Sequence, residues 1–259
     1  MTAATLTPVE QRARPADVRP RLGRLTVVEL RKMVDTRAGF WVLLGTALLT
    51  AVVTAIAGAV LPEQERTLVR LLGLATLPAG LLMPVVGVLL VTSEWSQRTA
   101  MITFALVPQR GRVLVAKLLA ALALSAVAFP VCLACGVVVT AVAGTGADGT
   151  WSPSAVLLGQ AWFSVVTAVV TGVAFGAALR TTPPAIALFF LLPIAWNALG
   201  SITALSGLAG WLDQSRTLAP LLVEELDANQ WARVGASLAL WLVLPLLVGA
   251  WRIRRTDVG

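Results

Sequence analysis

Six long apolar runs, parted by short polar breaks, set the rhythm of this chain: residues 40–61, 71–92, 113–143, 154–179, 185–205 and 231–251. A helix needs about 20 apolar residues to cross the hydrocarbon of a bilayer. The pattern therefore predicts an all-α polytopic membrane protein with six transmembrane helices. Pro78, Pro84, Pro130 and Pro193 fall inside the runs, where neighbouring helices can re-satisfy the carbonyl that each proline frees. The third run is long enough to tilt, or to break at Pro130.

Two stretches depart from that rhythm. Over residues 22–37, at about 100° per residue, Leu22, Val27, Leu30, Met33 and Val34 gather on one side, with Arg24, Arg31 and Asp35 opposite. Such a stretch predicts an amphipathic helix lying in the headgroup plane with its basic residues toward phosphates. Residues 206–230 are too long for a minimal turn. Their first half is apolar enough to dip into the outer leaflet and their second half is acidic through Glu224, Glu225 and Asp227, which predicts a re-entrant-like outer segment. Residues 1–21, rich in Arg, Pro and Ala, read as a disordered cytoplasmic tail without the apolar core of an export signal. Residues 252–259 read as a second cytoplasmic tail.

Composition agrees with the pattern. Hydrophobic residues make up 58% of the chain and charged residues 13%, against roughly 25% charged in soluble domains, and the mean hydropathy is +0.85. The net charge of +7 raises nucleic-acid binding, but the cations sit at segment ends rather than along one face. On the six-span map, 16 of the 20 Lys and Arg fall on one side, and Arg66, Arg70, Arg216 and Arg233 on the other. That bias places both termini in the cytoplasm and makes nucleic acid an unneeded partner.

The chemistry that is missing narrows the function. The chain has no histidine, and so lacks the usual general base and the commonest metal ligand. Cys132 and Cys135 form a C-x-x-C inside an apolar run, where a desolvated thiol is a poor thiolate; they read as small apolar residues. No G-x-x-x-x-G-K-[ST] occurs that could cradle a triphosphate. No Asp, Glu or Lys stands at mid-span, where ion-coupled carriers keep an ionisable group. The chain is expected to be no enzyme, to hold no cofactor or metal, and to draw any energy for transport from a partner.

The longest polar interruption among the runs, Thr92 to Lys117, carries Glu94, Thr99, Pro108, Arg110 and Lys117. In that order and spacing the loop resembles the one after the second span of ABC-2 type ABC transporter permeases, and ELRKMVDTRAGFW near the start also looks like theirs. Arg98 stands where many relatives have Gly. The resemblance implies a type V exporter-like architecture in a bacterial plasma membrane. It also implies a separate ATPase subunit binding ATP and Mg, a second permease chain, same or different, and a coupling loop over 93–112 that docks on the ATPase. Trp95, Ile102 and Leu106 share one helical side for that docking while Glu94 and Arg98, at i and i+4, cover another.

Spans two and five would then border the translocation path. Asn197 and, in the fourth span, Gln160 are its polar candidates, or else make interhelical hydrogen bonds. Gly172 and Gly176 give a small-xxx-small spacing that lets helices approach closely, with no partner helix assigned. A path so apolar implies a hydrophobic or amphipathic cargo. Two other classes stand beside the exporter reading: a substrate-capturing membrane subunit of an uptake system, and a membrane-embedded enzyme, which the missing histidine disfavours.

Overall fold

A computed structural model describes residues 21–97, 109–146, 149–200, 202 and 206–255, and every regular element among them is helical. In chain order they are α1 (Leu22–Asp35), α2 (Arg37–Val60), α3 (Leu68–Ser96), α4 (Arg110–Ala143), α5 (Ala155–Leu179) and α6 (Thr182–Gly200). Two short helices, α7 (Ser206–Leu212) and α8 (Gln214–Leu218), and a 3₁₀ turn over Ala219–Leu222 follow. The last helix, α9, runs from Ala228 to Arg255 with a π turn at Ala239–Val243.

Polar side chains begin these helices by taking up orphan backbone donors. Thr36 accepts from Gly39 N at 3.2 Å, Thr67 from Arg70 N at 3.3 Å and Ser154 from Leu157 N at 3.1 Å. Asp227 and Gln230 form a reciprocal capping box at the start of α9. Helix α3 runs unbroken through Pro78 and Pro84, and α4 through Pro130. The π turn has a local cause. Pro245 lacks an N–H, and in an α-helix its ring would press on the carbonyl of Trp241, so the chain widens just before it.

Among the described residues, α2, α3, α4, α5 and α9 are long and apolar enough to cross a membrane. The expected fifth run is present as α6, but its apolar stretch, Thr182–Ala198, is shorter. At 1.5 Å per residue the whole of α6 reaches about 28 Å, just under the ~30 Å hydrocarbon core.

Helices α3 and α5 form the centre. In their most apolar stretches 61% and 56% of residues are buried, against 17 to 22% in α2, α4 and α9. Glycines set how closely they pack. A Cβ on Gly172 would come within 2.0 Å of the Pro84 carbonyl oxygen, and one on Gly87 within 2.1 Å of the Val169 oxygen. Helix α9 closes on the other side of α5, where a Cβ on Gly249 would meet that of Ala177 at 2.5 Å.

Helix α1 packs across one end of α2, α3 and α4 with Leu22, Leu30 and Met33 of the expected face toward the bundle, but rotated so that Val27 and Val34 turn outward. Glu29 and Met33 are buried, at 4% and 2% exposure, whereas Val27 and Val34 are about half exposed. The bundle takes the seam through Leu22, Thr26, Glu29 and Met33, because Glu29 finds cations there. The valines share the outer face with Arg24 and Arg31.

Candidate functional site: a buried ring of charges

Four side chains from three helices close a ring where α1 meets the bundle. Lys117, two turns into α4, reaches Glu29 of α1 at 2.6 Å and Glu94 at the end of α3 at 3.3 Å. Lys32 of α1 reaches the other oxygen of each carboxylate, Glu29 at 2.8 Å and Glu94 at 2.6 Å. The third donor position of Lys117 is used by the Leu90 carbonyl at 2.7 Å. Glu29, Glu94 and Lys117 are each 4% exposed, so water contributes little to these three, whereas the Lys32 side chain is 37% exposed.

The ring is neutral overall, with opposite charges alternating around it. That arrangement lets it survive burial, since an unpaired buried charge would cost several kcal/mol. Burial by itself would lower the pKa of Lys32, but its hydrogen bonds to Glu29 and Glu94 and their charges hold it above the ordinary 10.5. A raised lysine stabilises the fold fully below its unfolded value and loses that contribution as pH climbs past the folded one. The melting temperature should therefore be insensitive to Lys32 titration through neutral pH and fall above pH 10.5, with a smaller alkaline fall in Lys32→Gln. Melting curves of the two proteins across that range check this.

Further contacts bind the same end together. The Arg180 guanidinium lies 4.9 Å from the centroid of the Trp95 ring. Thr92 and Thr182 share a hydrogen bond of 2.7 Å that joins the end of α3 to the start of α6. Arg110 donates to the Ile253 carbonyl at 3.2 Å and Arg252 donates to that of Ala178. Arg180 occupies the left-handed region at φ 60°, uncommon for a residue with a Cβ, and ends α5 abruptly enough for α6 to turn back. Burial first, then the charges of Arg252 and Arg110, lower its pKa: three arginines converge here.

Of the residues expected to form a coupling surface, Arg98, Thr99, Ile102, Leu106 and Pro108 lie outside the described residues. Glu94, Trp95 and Arg110 are placed, and all three make intramolecular contacts. Glu94 in particular points inward, to Lys32 and Lys117, rather than covering an outer side of the loop. The cause is electrostatic, since Lys117 and Lys32 offer a desolvated carboxylate paired charges.

The two polar path candidates also prove to be occupied. Gln160 is 3% exposed; its amide donates to Glu224 O at 2.7 Å and Leu221 O at 3.3 Å and accepts from Leu226 N at 3.0 Å. It thus fastens the segment before α9 to the start of α5. Gln160→Leu, similar in volume, should leave those backbone groups unsatisfied and destabilise by about 1–3 kcal/mol, with new protease sensitivity near Leu226; unchanged melting and proteolysis would refute that role. Asn197 is exposed on α6 and donates to Asp213 Oδ2 at 3.4 Å.

Asp213, absent from the sequence expectations, is wholly buried between α7 and α8. It accepts from Ser215 N at 2.9 Å and pairs with Arg216 Nε at 3.3 Å. With Trp241 Nε1 donating to Leu212 O at 2.6 Å, it folds the predicted re-entrant-like segment back onto the bundle. Gly172 and Gly176 do mark a close helix contact, and its partner is α3, at Pro84 and Val88.

Glu29 and Lys32 were also missed. The available signal was a glutamate on the 22–26–29–33 seam of α1, a position an interfacial helix has no reason to make acidic, with an unmatched lysine inside the third apolar run. Among the described residues no group of three or more His, Cys, Asp or Glu is placed to hold a metal.

Compared with known proteins, the chain matches no protein-family model and no curated protein sequence. The fold and site define a class: among the described residues the chain is helical throughout its regular elements, with five helices long and apolar enough to cross a membrane, the make-up of a polytopic membrane protein, tied at its basic end by a buried ion-pair ring.

Proposed function

We propose that the chain is the transmembrane permease subunit of an ATP-driven exporter of the ABC-2 type. A separate ATPase subunit would bind ATP and Mg, and a second permease chain would complete the transport unit. In this reading α6 supplies the sixth crossing, and the ring lies at the cytoplasmic end of a bacterial plasma membrane protein.

The observation that carries the proposal is how the connection between α3 and α4 is anchored. Its flanks hold Glu94 and Lys117, which the ring joins to α1. Trp95 meets Arg180 at the α5–α6 turn, and Arg110 meets Ile253 at the end of α9. A partner pressing on that connection would move one cross-linked plate, to which the ends of six helices are fixed. A charged network of this kind transmits displacement because breaking it would strand a buried charge.

A cleft of about 410 Å3 between α3, α5, α6, α8 and the 3₁₀ turn after it supports the path. Phe189, Phe190 and Pro193 line it with Thr76, Ser164 and Gln214, a mixture suited to an amphipathic cargo. The test is co-purification. The membrane-extracted protein is expected to bring down an ATPase subunit encoded beside it, and transport should fail when that subunit's ATPase is inactivated. Absence of any such subunit from the purified complex would overturn the proposal. Topology is tested separately by Gln97→Cys, which should be labelled only from the cytoplasmic side.

A further inference from the structure

We propose that the chain holds a phospholipid from the leaflet at its basic end, with an acyl chain lying in a cleft between α1, α2 and α4. The cleft has a volume of about 390 Å3. Its floor reaches Met83, Leu124 and Cys132, all buried, and its mouth is formed by Val34 and Val127, 54% and 66% exposed. Of the two threonines in the lining, Thr46 turns its hydroxyl back to Val42 O at 2.7 Å, and Thr50 keeps a buried hydroxyl amid otherwise apolar side chains.

Four features identify the occupant. Val127 and Val34 open the cleft sideways on the outer surface of the bundle, where lipid rather than water meets a membrane span. Along α4 the lining runs from Ala123 to Cys132, about 14 Å at 1.5 Å per residue. That is close to the ~15 Å hydrocarbon depth of one leaflet, half of the ~30 Å core.

A helix about 10 Å across would fill roughly 1,100 Å3 over that length, so the cleft is of a size to enclose an alkyl chain rather than a whole helix. Charge supplies the headgroup half. Glu29 and Lys32 face inward in the ring, so the outer face of α1 and the start of α2 present Arg21, Arg24, Arg31 and Arg37 against Asp35. An anionic phosphate suits that end. The inference stands apart from the transport proposal, since it needs no ATPase and no cargo.

The experiment is native mass spectrometry and lipid analysis of the full chain, extracted in mild detergent and from nanodiscs of mixed phosphatidylglycerol and phosphatidylethanolamine. The wild type should retain about one phospholipid per chain through washing, with phosphatidylglycerol preferred. Ala47→Phe fills the cleft. Val127→Trp blocks its mouth from an exposed position and so does not put folding at stake. Each should lower retention by about tenfold or more, since the acyl chain loses its close contacts with the cleft wall.

Arg31→Gln with Arg37→Gln should abolish the preference for phosphatidylglycerol. The proposal is overturned if the wild type retains no more lipid than empty nanodiscs shed, or if Val127→Trp retains as much as wild type. It is also overturned if the tightly held molecule is detergent or a non-phospholipid amphiphile, or if the headgroup preference survives loss of both arginines.

Discussion

Lys117→Met is expected to destabilise the protein by about 3–5 kcal/mol, the usual result of removing one partner from a buried ion pair. The methylene stem is replaced almost in kind, so packing changes little and the loss is electrostatic. Glu29 and Glu94, each 4% exposed, would be left with Lys32 alone between them, and the ring would carry a net negative charge. Adding Glu29→Gln to Lys117→Met restores neutrality, with Glu94 still paired to Lys32 across 2.6 Å.

The double variant should therefore recover most of the loss, because residues of one network do not add. Thermal melts in detergent, followed through the nine tryptophans, measure both. If the double variant is as unstable as the two single losses summed, the ring is not acting as a unit.

Gly172→Leu should prevent the bundle from assembling. The Cβ position is set by the backbone and no rotamer moves it, so an atom 2.0 Å from the Pro84 carbonyl oxygen must push α3 away from α5. Overpacking of side chains typically costs about 1–3 kcal/mol, and here the obstacle is backbone, which yields less. The two helices displaced are the two most buried.

Gly159→Leu is the control: it lies on the same helix, with nothing within 4 Å of its Cβ position. The expected outcome is aggregation or loss of monodisperse protein for Gly172→Leu and near-normal yield for Gly159→Leu, read by size-exclusion chromatography. A monodisperse Gly172→Leu protein melting like the wild type would refute this crossing.

The apolar runs were legible because their signal is local. A stretch of about 20 uncharged apolar residues means much the same whatever surrounds it, so α2, α3, α4, α5 and α9 were predicted to within a few residues. The small-residue spacing at Gly172 and Gly176 was legible for the same reason. Its partner was not, because nothing at Pro84 or Gly87 shows in sequence that a second helix will press there. The rotation of α1 is not legible from local pattern. Grouping Val27 and Val34 with Leu30 makes the better amphipathic helix, and only the arrival of Lys117 from 88 positions away makes Glu29 the residue to bury.

By itself, then, the amino-acid order determined helices, their approximate ends, the membrane-grade apolar runs, the basic bias of one side and the absence of a triphosphate loop. Each of these depends on residues within a turn or two of one another, or on composition alone. Tertiary structure alone decided that Glu94 faces inward, that Gln160 and Asp213 fasten the hairpin before α9, and that an apolar cleft opens beneath α1. Pairing a buried charge or satisfying a buried amide depends on which distant group is nearest in space, and that is settled only when the helices pack.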